Sequence, residues 1–510
     1  MEINDNTSRN DSSNILLWLD QGPYAYINLG VASVLSKLNK FNFFGIVATQ
    51  QDISFFNNQK VIPFNEIIYY PDCYINKSSY DIDYLKKSEK DFDLNLWLDV
   101  YGERFFHEHR THFHKFSKSE ILIIVENSIR FFSELIQRTN PQLIVMQTAG
   151  ENIANTLLFK IAKKLKIKTL MINPTHIHNR IVVSDNLTSQ EISNNFEKII
   201  QNFNEKSQNY DSNYIKDQSL TETVKVQHTF NFDDANTTQK ISHYIHRLYN
   251  DPEPIYQNIG KTKSKILKSK ISANINTKKR KAFLDTNSIL EIQDEKFLYF
   301  PLHTEPEAKI LTTSPFFSNQ LAVIENIARS IPVDFILYVK EHPGQGLKLW
   351  RSINYYKKIL ELPNVKLVHP SVNPQELISK CSCVISISGS TGFEALFYKK
   401  PVILFSDEYY DCLSMVTKIT NITDLPDLIL KNLTSFEFNN KEFNALMNSQ
   451  NSESITFPYF QLMKDALTIS LLQRKKEDYT LTQKAFANFY EKYKENFELL
   501  GKEFQKKLSN

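Results

Sequence analysis

Cysteine is nearly absent from this sequence. Cys73, Cys381, Cys383 and Cys412 are the four in 510 residues. So sparse a supply excludes a disulfide-stapled scaffold and fits a reducing compartment. The single residue between Cys381 and Cys383 is not the spacing of a zinc knuckle. An excess of charge of one sign is missing too. Sixty Lys and Arg stand against 57 Asp and Glu, a net charge of +3, which gives no global reason to expect a nucleic-acid partner. No run approaches the roughly 18 apolar residues that a membrane span requires. The opening segment MEINDNTSRNDSSN is polar and acidic, which argues against a signal peptide and for a cytoplasmic protein, peripheral at the inner membrane at most. Glycine is scarce, at 11 residues, so a glycine in a loop between an apolar run and a helix marks a backbone position with a special demand.

What is present is enough for large cores. Hydrophobic residues make up 41% of the chain, and the length exceeds what one ordinary core uses, so two domains with extra elements are expected. Residues 1–185 alternate apolar runs with helical patterns: ILLWL (15–19), FFGIVAT (43–49), PQLIVMQ (141–147) and KTLMIN (168–173) read as strands. Residues 186–290 are rich in Asn, Ser, Lys, Thr and Gln, and read as a helical and irregular insertion or linker. Within it, the basic stretch from Lys261 to Lys281 has two readings: a patch for anionic lipid or a phosphate-bearing acceptor, or a solvated helix face. Residues 291–435 return to alternation, with strands KFLYFPL (296–302), DFILYVK (334–340), VKLVHP (365–370), CVISIS (383–388) and PVILFS (401–406). Residues 436–510 read as a helical C-terminal extension. Short strand–helix–strand connections predict parallel sheets covered on both faces.

In an open parallel sheet, ligands bind beyond the carboxyl ends of the strands. Those ends carry Pro301-Leu302-His303-Thr304-Glu305-Pro306-Glu307, then Glu341-His342-Pro343-Gly344, then His369-Pro370-Ser371, then Gly389-Ser390-Thr391-Gly392. The last loop enters a helix through two glycines, so free N–H groups and the helix dipole can meet a phosphate, with Ser388, Ser390 and Thr391 as hydroxyl donors. No Gly-Lys-Ser/Thr follows, which disfavours a P-loop. Glu394 is placed to accept hydrogen bonds from ribose hydroxyls; a helix-capping turn is the bland alternative. Lys340 and His342 can supply charge and a donor to phosphate, while Pro343 stiffens the turn. His303 and Glu307, on a Pro-flanked loop, suit acid–base or sugar-binding roles. For His369 a structural role is favoured. The cluster His107, His109, His112 and His114 lacks the carboxylates or cysteines of a recognised metal site, and chance is the better account of the Asp81/Asp83 and Asp91/Asp93 pairs. No metal site is expected.

The runs YFPLHTEPEA (299–308), YVKEHPG (338–344) and VHPSVNPQELISKCSCVISISGSTGFEALFYKKPVILF (368–405) resemble the capsule polysaccharide biosynthesis family, which includes transferases that move Kdo from CMP-Kdo. The resemblance implies a GT-B-like α/β architecture: two Rossmann-like domains facing a cleft, with the nucleotide on the C-terminal one. It implies a metal-independent glycosyltransferase without a cofactor, using a nucleotide-sugar donor (CMP-Kdo or a related CMP- or UDP-sugar) and a glycan or glycolipid acceptor in capsule or surface-polysaccharide synthesis. His342 and Pro343 match the family's His-Pro pair, and Ser388, Ser390 and Thr391 its hydroxyl loop, with Gly389 and Gly392 as nucleotide-binding candidates beside them. The segment GSTGFEA also resembles UDP-N-acetylglucosamine 2-epimerases, where the position of Glu394 holds ribose. A sugar-nucleotide epimerase, or a non-catalytic assembly partner, is therefore the alternative. Asp20 and Glu151, each after an N-terminal strand, occupy edge positions suited to a catalytic base.

Overall fold

The computed structural model describes residues 13–20, 22–74, 79–106, 113–146, 150–175, 177, 179–185, 196–201, 203, 210–211, 213–214, 255–473 and 479–509. They build two sheets. The first takes β1 (Ser13–Trp18), β2 (Phe41–Val47), β3 (Glu66–Tyr69), β4 (Leu143–Val145), β5 (Lys168–Pro174), β6 (Arg180–Ser184) and β13 (Ile455–Thr456) in the order β13-β6-β5-β4-β1-β2-β3. Pairing is parallel from β5 to β3 and antiparallel at β6 and β13. The second takes β7 (Phe297–Pro301), β8 (Ile336–Lys340), β9 (Val365–Val368), β10 (Cys383–Ser386), β11 (Val402–Leu404) and β12 (Val416–Lys418) in the order β12-β11-β10-β7-β8-β9, parallel throughout. Near-continuous apolar strands such as LIV at 143–145 and VIL at 402–404 are buried along their length, as a sheet covered on both faces requires.

The first sheet has two separate cores, one on each face. One of them is completed from the far end of the chain: Phe457, Leu462, Phe489, Phe497 and Phe504 pack with Ile15, Leu29, Val31 and Phe43. Residues after 436 are thus helical, as expected, but the helices from Tyr459 onward are a layer of the first sheet. The expectation of a terminal extension is corrected on this point: the apolar faces of these helices have their burial partner more than 400 residues upstream. Between the sheets, the helix Lys263–Asn287 runs on from Ile255 and Tyr256, which belong to the other core of the first sheet, to Leu284, which is buried against Tyr356 and Leu367 of the second. The fold class is α/β and GT-B-like, with two doubly wound sheets linked by this helix and by the returning C-terminal chain. Most of residues 186–254, the greater part of the expected insertion, lies outside the described residues.

The two sheets approach through their carboxyl edges. A Cβ placed on Gly150, just after β4, would lie 3.0 Å from Thr312 Cγ2, and one on Gly102 would lie 3.5 Å from the same atom. Thr312 belongs to the short helix Ala308–Thr313 that follows β7.

Candidate nucleotide site

The strand order puts the chain's reversal in the second sheet between β7 and β10, because β8 and β9 lie on one side of β7 and β10 to β12 on the other. A crevice opens outside the carboxyl ends at such a switch point. There His303, two residues past β7, donates from Nε2 to the carbonyl of Ser388, two residues past β10, at 2.7 Å. A carbonyl only accepts, so Nε2 carries the proton and Nδ1 keeps a lone pair. His303 Nδ1 and Ser388 Oγ are both buried without a hydrogen-bond partner. Burial lowers the His303 pKa, with Glu307 opposing, so the ring is neutral at physiological pH. Glu307 itself accepts from Thr304 Oγ1 at 3.0 Å.

Gly389 has φ of 95°, a conformation open to glycine and strained for other residues, and it caps the helix Ser390–Phe397. Its N–H donates to Glu408 Oε1 at 2.6 Å, and Lys309 Nζ reaches the same oxygen at 2.7 Å. A carboxylate therefore sits where a helix N-terminus and a cation converge, which is the chemistry of an anion site. Tyr410 donates to the Gly389 carbonyl at 2.7 Å and closes over the turn. Gly392 leaves room for it, since a Cβ there would lie 2.5 Å from Tyr410 Oη. Glu394 lies inside the next turn, where burial lifts its carboxyl to a pKa of about 7 against a hydrogen bond from Ser390. The expected ribose acceptor thus carries a proton for much of the neutral range.

His342 caps the turn after β8. Its Nδ1 accepts from the N–H of Gly344 at 3.0 Å, which leaves the ring proton on Nε2, and burial takes its pKa down to about 4. It is a neutral donor, the state a phosphate oxygen can use. Lys340 departs from expectation: its buried ammonium donates to the carbonyl of Pro370 at 3.1 Å, and burial brings its pKa to about 8 despite Glu341. The side chain ties β8 to the loop after β9, and Lys309 is the cation that stands beside the Gly389 turn instead.

Behind the loops is a network that sequence reading missed. Buried Arg351 pairs with Glu341 and donates to the carbonyl of His303; Glu341 also accepts from Tyr356 Oη at 2.7 Å and from the N–H of His342 at 2.6 Å. Gln320 exchanges hydrogen bonds with both backbone groups of His303, and Gln345 does the same for Glu305. The loops after β7 and β8 are both braced from one hub. Glu341 stood in the His-Pro loop and was visible; Arg351, Gln320 and Gln345 have no local signature. Glu408 had one that was not read, since it lies in the loop after β11; Lys309 lies inside the helix Ala308–Thr313 and had none.

The N-terminal candidates are held elsewhere. Asp20 is buried and accepts from Tyr70 Oη at 2.8 Å, and Glu151 is paired with Arg104 Nη2 at 2.6 Å. Both follow the strands flanking the switch point of the first sheet, β1 and β4. His369 bonds Ser371 and Asp285 and is structural. Asp81 caps a helix and His114 pairs with Glu120, while His107, His109 and His112 lie outside the described residues. Among the described residues, no group of three His, Cys, Asp or Glu could hold a metal ion.

The two doubly wound sheets define a GT-B-like α/β fold, with a candidate anion site at the switch point of the second sheet. Residues 186–421 match the family described as capsule polysaccharide biosynthesis protein, a stretch that takes in the site and the second sheet and leaves out the first. No curated protein matches the chain. Among solved structures, it is similar to the Thermosulfurimonas dismutans KpsC beta Kdo 2,7 transferase at 13% identity and a TM-score of 0.32, covering 62% of this chain and 79% of that one. It is also similar to a UDP-GlcNAc 2-epimerase from Neisseria meningitidis bound to UDP-GlcNAc, at 15% identity and a TM-score of 0.27 over 86% and 99% of the two chains. Likenesses this loose carry nothing about activity, which rests on the site.

Proposed function

We propose that the protein is a glycosyltransferase that uses a nucleotide-activated sugar in capsule or surface-polysaccharide synthesis, with the donor on the second sheet and the acceptor on the first. The observation that supports this reading best is the switch point of the second sheet, where Lys309 and the Gly389 N–H already hold a carboxylate. The donor phosphate takes the place of Glu408 there, and His342 Nε2–H adds a neutral donor. Fixed donors of this kind stabilise the charge that grows on the leaving phosphate without a metal ion. His303 Nδ1 takes the proton of the acceptor hydroxyl as its oxygen bonds to the sugar carbon and the carbon–phosphate-oxygen bond breaks. Glu307 steadies the imidazolium that results. Asp20 and Glu151 are the alternative bases on the acceptor side; Tyr70 and Arg104 already engage them.

The test is calorimetry of the purified chain against CMP-, UDP- and GDP-sugars, followed by assay of nucleotide release with cell-derived glycan or glycolipid acceptors. One nucleotide series should bind, and Lys309→Ala should weaken it about tenfold or more. Absence of binding to all three series would sink the reading. Conversion of the donor without any acceptor would move it to epimerisation.

A further inference from the structure

The helix Lys263–Asn287 has two faces with different chemistry. Ile266, Ala273, Arg280 and Leu284 point to the protein: Leu284 is buried, and Arg280 Nη1 donates to the carbonyl of Trp350 at 2.6 Å. On the far side Leu267, Ile271 and Ile275 follow one another every fourth residue, one above the other on a helix, and remain 44%, 53% and 49% exposed. Seven lysines and Arg280 lie in this helix against one acid, Asp285, which is engaged by Lys281 and His369. Helical geometry sets Lys263 and Lys270 on one flank of the aliphatic stripe and Lys268 and Lys279 on the other, and all four are exposed.

We infer that this helix lies along an anionic lipid surface, with Leu267, Ile271 and Ile275 entering the headgroup boundary and the flanking lysines meeting lipid phosphates. An aliphatic stripe bordered by lysines is the pattern of an interfacial helix, whose long side chains keep their charge in the polar layer while their stems cover apolar surface. The other partners fit less well. A nucleic-acid backbone has no use for three exposed aliphatic side chains, and stacking on bases calls for aromatic ones. A second copy of the helix would set like charge against like. No described helix is long and apolar enough to cross a membrane, so the contact is one of lying on the surface. Because the helix connects the two sheets, docking would hold the cleft at the bilayer, where a lipid-linked acceptor would be met; that last clause rests on the proposed function, while the docking does not.

The experiment is flotation of the full chain with vesicles of phosphatidylcholine alone or with about a third phosphatidylglycerol. The native chain should float with the anionic vesicles, stay behind with the neutral ones, and be released by salt at about 0.5 M. Leu267→Gln/Ile271→Gln/Ile275→Gln, and separately Lys263→Gln/Lys268→Gln/Lys270→Gln/Lys279→Gln, should each lower the bound fraction about fivefold or more, with the melting temperature unchanged. Flotation of the variants equal to that of the native chain, or none by the native chain, overturns the inference. So does a lower melting temperature of the aliphatic variant, which would show the stripe covered by the chain itself. A change from dimer to monomer in sedimentation, or retention on duplex RNA in place of vesicles, overturns it as well.

Discussion

Arg351 and Glu341 form an ion pair whose side chains are 3% and 0% exposed, so neither can fall back on water if its partner is removed. A charge left alone at such depth costs about 3–5 kcal/mol, whereas replacing both members with apolar groups costs far less. Arg351→Met should therefore destabilise the second sheet by about that amount in a denaturant titration, and Arg351→Met/Glu341→Leu should regain part of the loss. The double variant should still bind nucleotide poorly, because the carbonyl of His303 and the N–H of His342 lose their anchors. Glu394 makes a second prediction, in pH. Below pH 4.5 the folded and unfolded chains both hold its proton. Between 4.5 and about 7 the unfolded chain releases it while the buried carboxyl keeps it, so stability falls with rising pH across that window and levels off above it. The fall amounts to about 3 kcal/mol at most. Glu394→Gln should remove that slope, leaving stability unchanged at pH 4 and higher than native at pH 8. A parallel pH profile for the two proteins would contradict the burial argument.

The helices Pro23–Leu38 and Lys494–Ser509 meet through a glycine on each side. A Cβ on Gly30 would lie 2.3 Å from the ring of Phe497, and one on Gly501 would lie 2.4 Å from Val34 Cγ1. Two opposing terms act on Gly501→Ala: helix propensity favours alanine by about 1 kcal/mol, and overpacking a closed contact costs about 1–3 kcal/mol. Packing should win, giving a small net loss, because Val34 is buried and has nowhere to turn. Phe497→Ala opens a cavity instead and should cost about 3–5 kcal/mol. Both are read from chemical unfolding of the full chain. This contact also shows where sequence reading stops. Apolar runs such as those around β1, β4 and β11 were legible as elements, and their alternation with helices predicted the parallel sheets, while β3 was not read. The three-residue β12 and two-residue β13 carry no period to detect, and β6 (RIVVS) is an antiparallel strand, paired between β5 and β13, after a turn that no glycine marks. That the last helices were amphipathic was visible; that their apolar face belongs to β1 and the helix after it was not, because periodicity records a face and never its partner.

At the scale of the molecule, the question is whether the two edges that meet at Gly150 and Thr312 act together. The candidate site was legible as far as it lay on strand-end loops: His303, His342, Ser388 and Gly389 come together at one switch point as their positions implied. The aim of Lys340 was not legible, since a side chain at the end of a strand can turn to either side, and burial under Pro370 decided it. Nor did the sequence bring Thr312 to Gly102 and Gly150, the contact by which the first sheet reaches the helix that carries Lys309. If transfer needs both edges, bulk at that contact should separate donor binding from chemistry. Thr312→Phe would hold the edges apart by more than an ångström, a displacement that costs about a hundredfold in rate when reacting groups must be aligned. We expect its donor affinity, measured by calorimetry, to stay within about threefold of native, because the side chain meets Gly102 and Gly150 of the first sheet, while transfer to acceptor falls about tenfold or more. Thr312→Ala, which only removes contact, should transfer at near the native rate. Equal turnover in Thr312→Phe and the native chain would show that chemistry proceeds on the second sheet alone, and would leave Asp20 and Glu151 without a part in it.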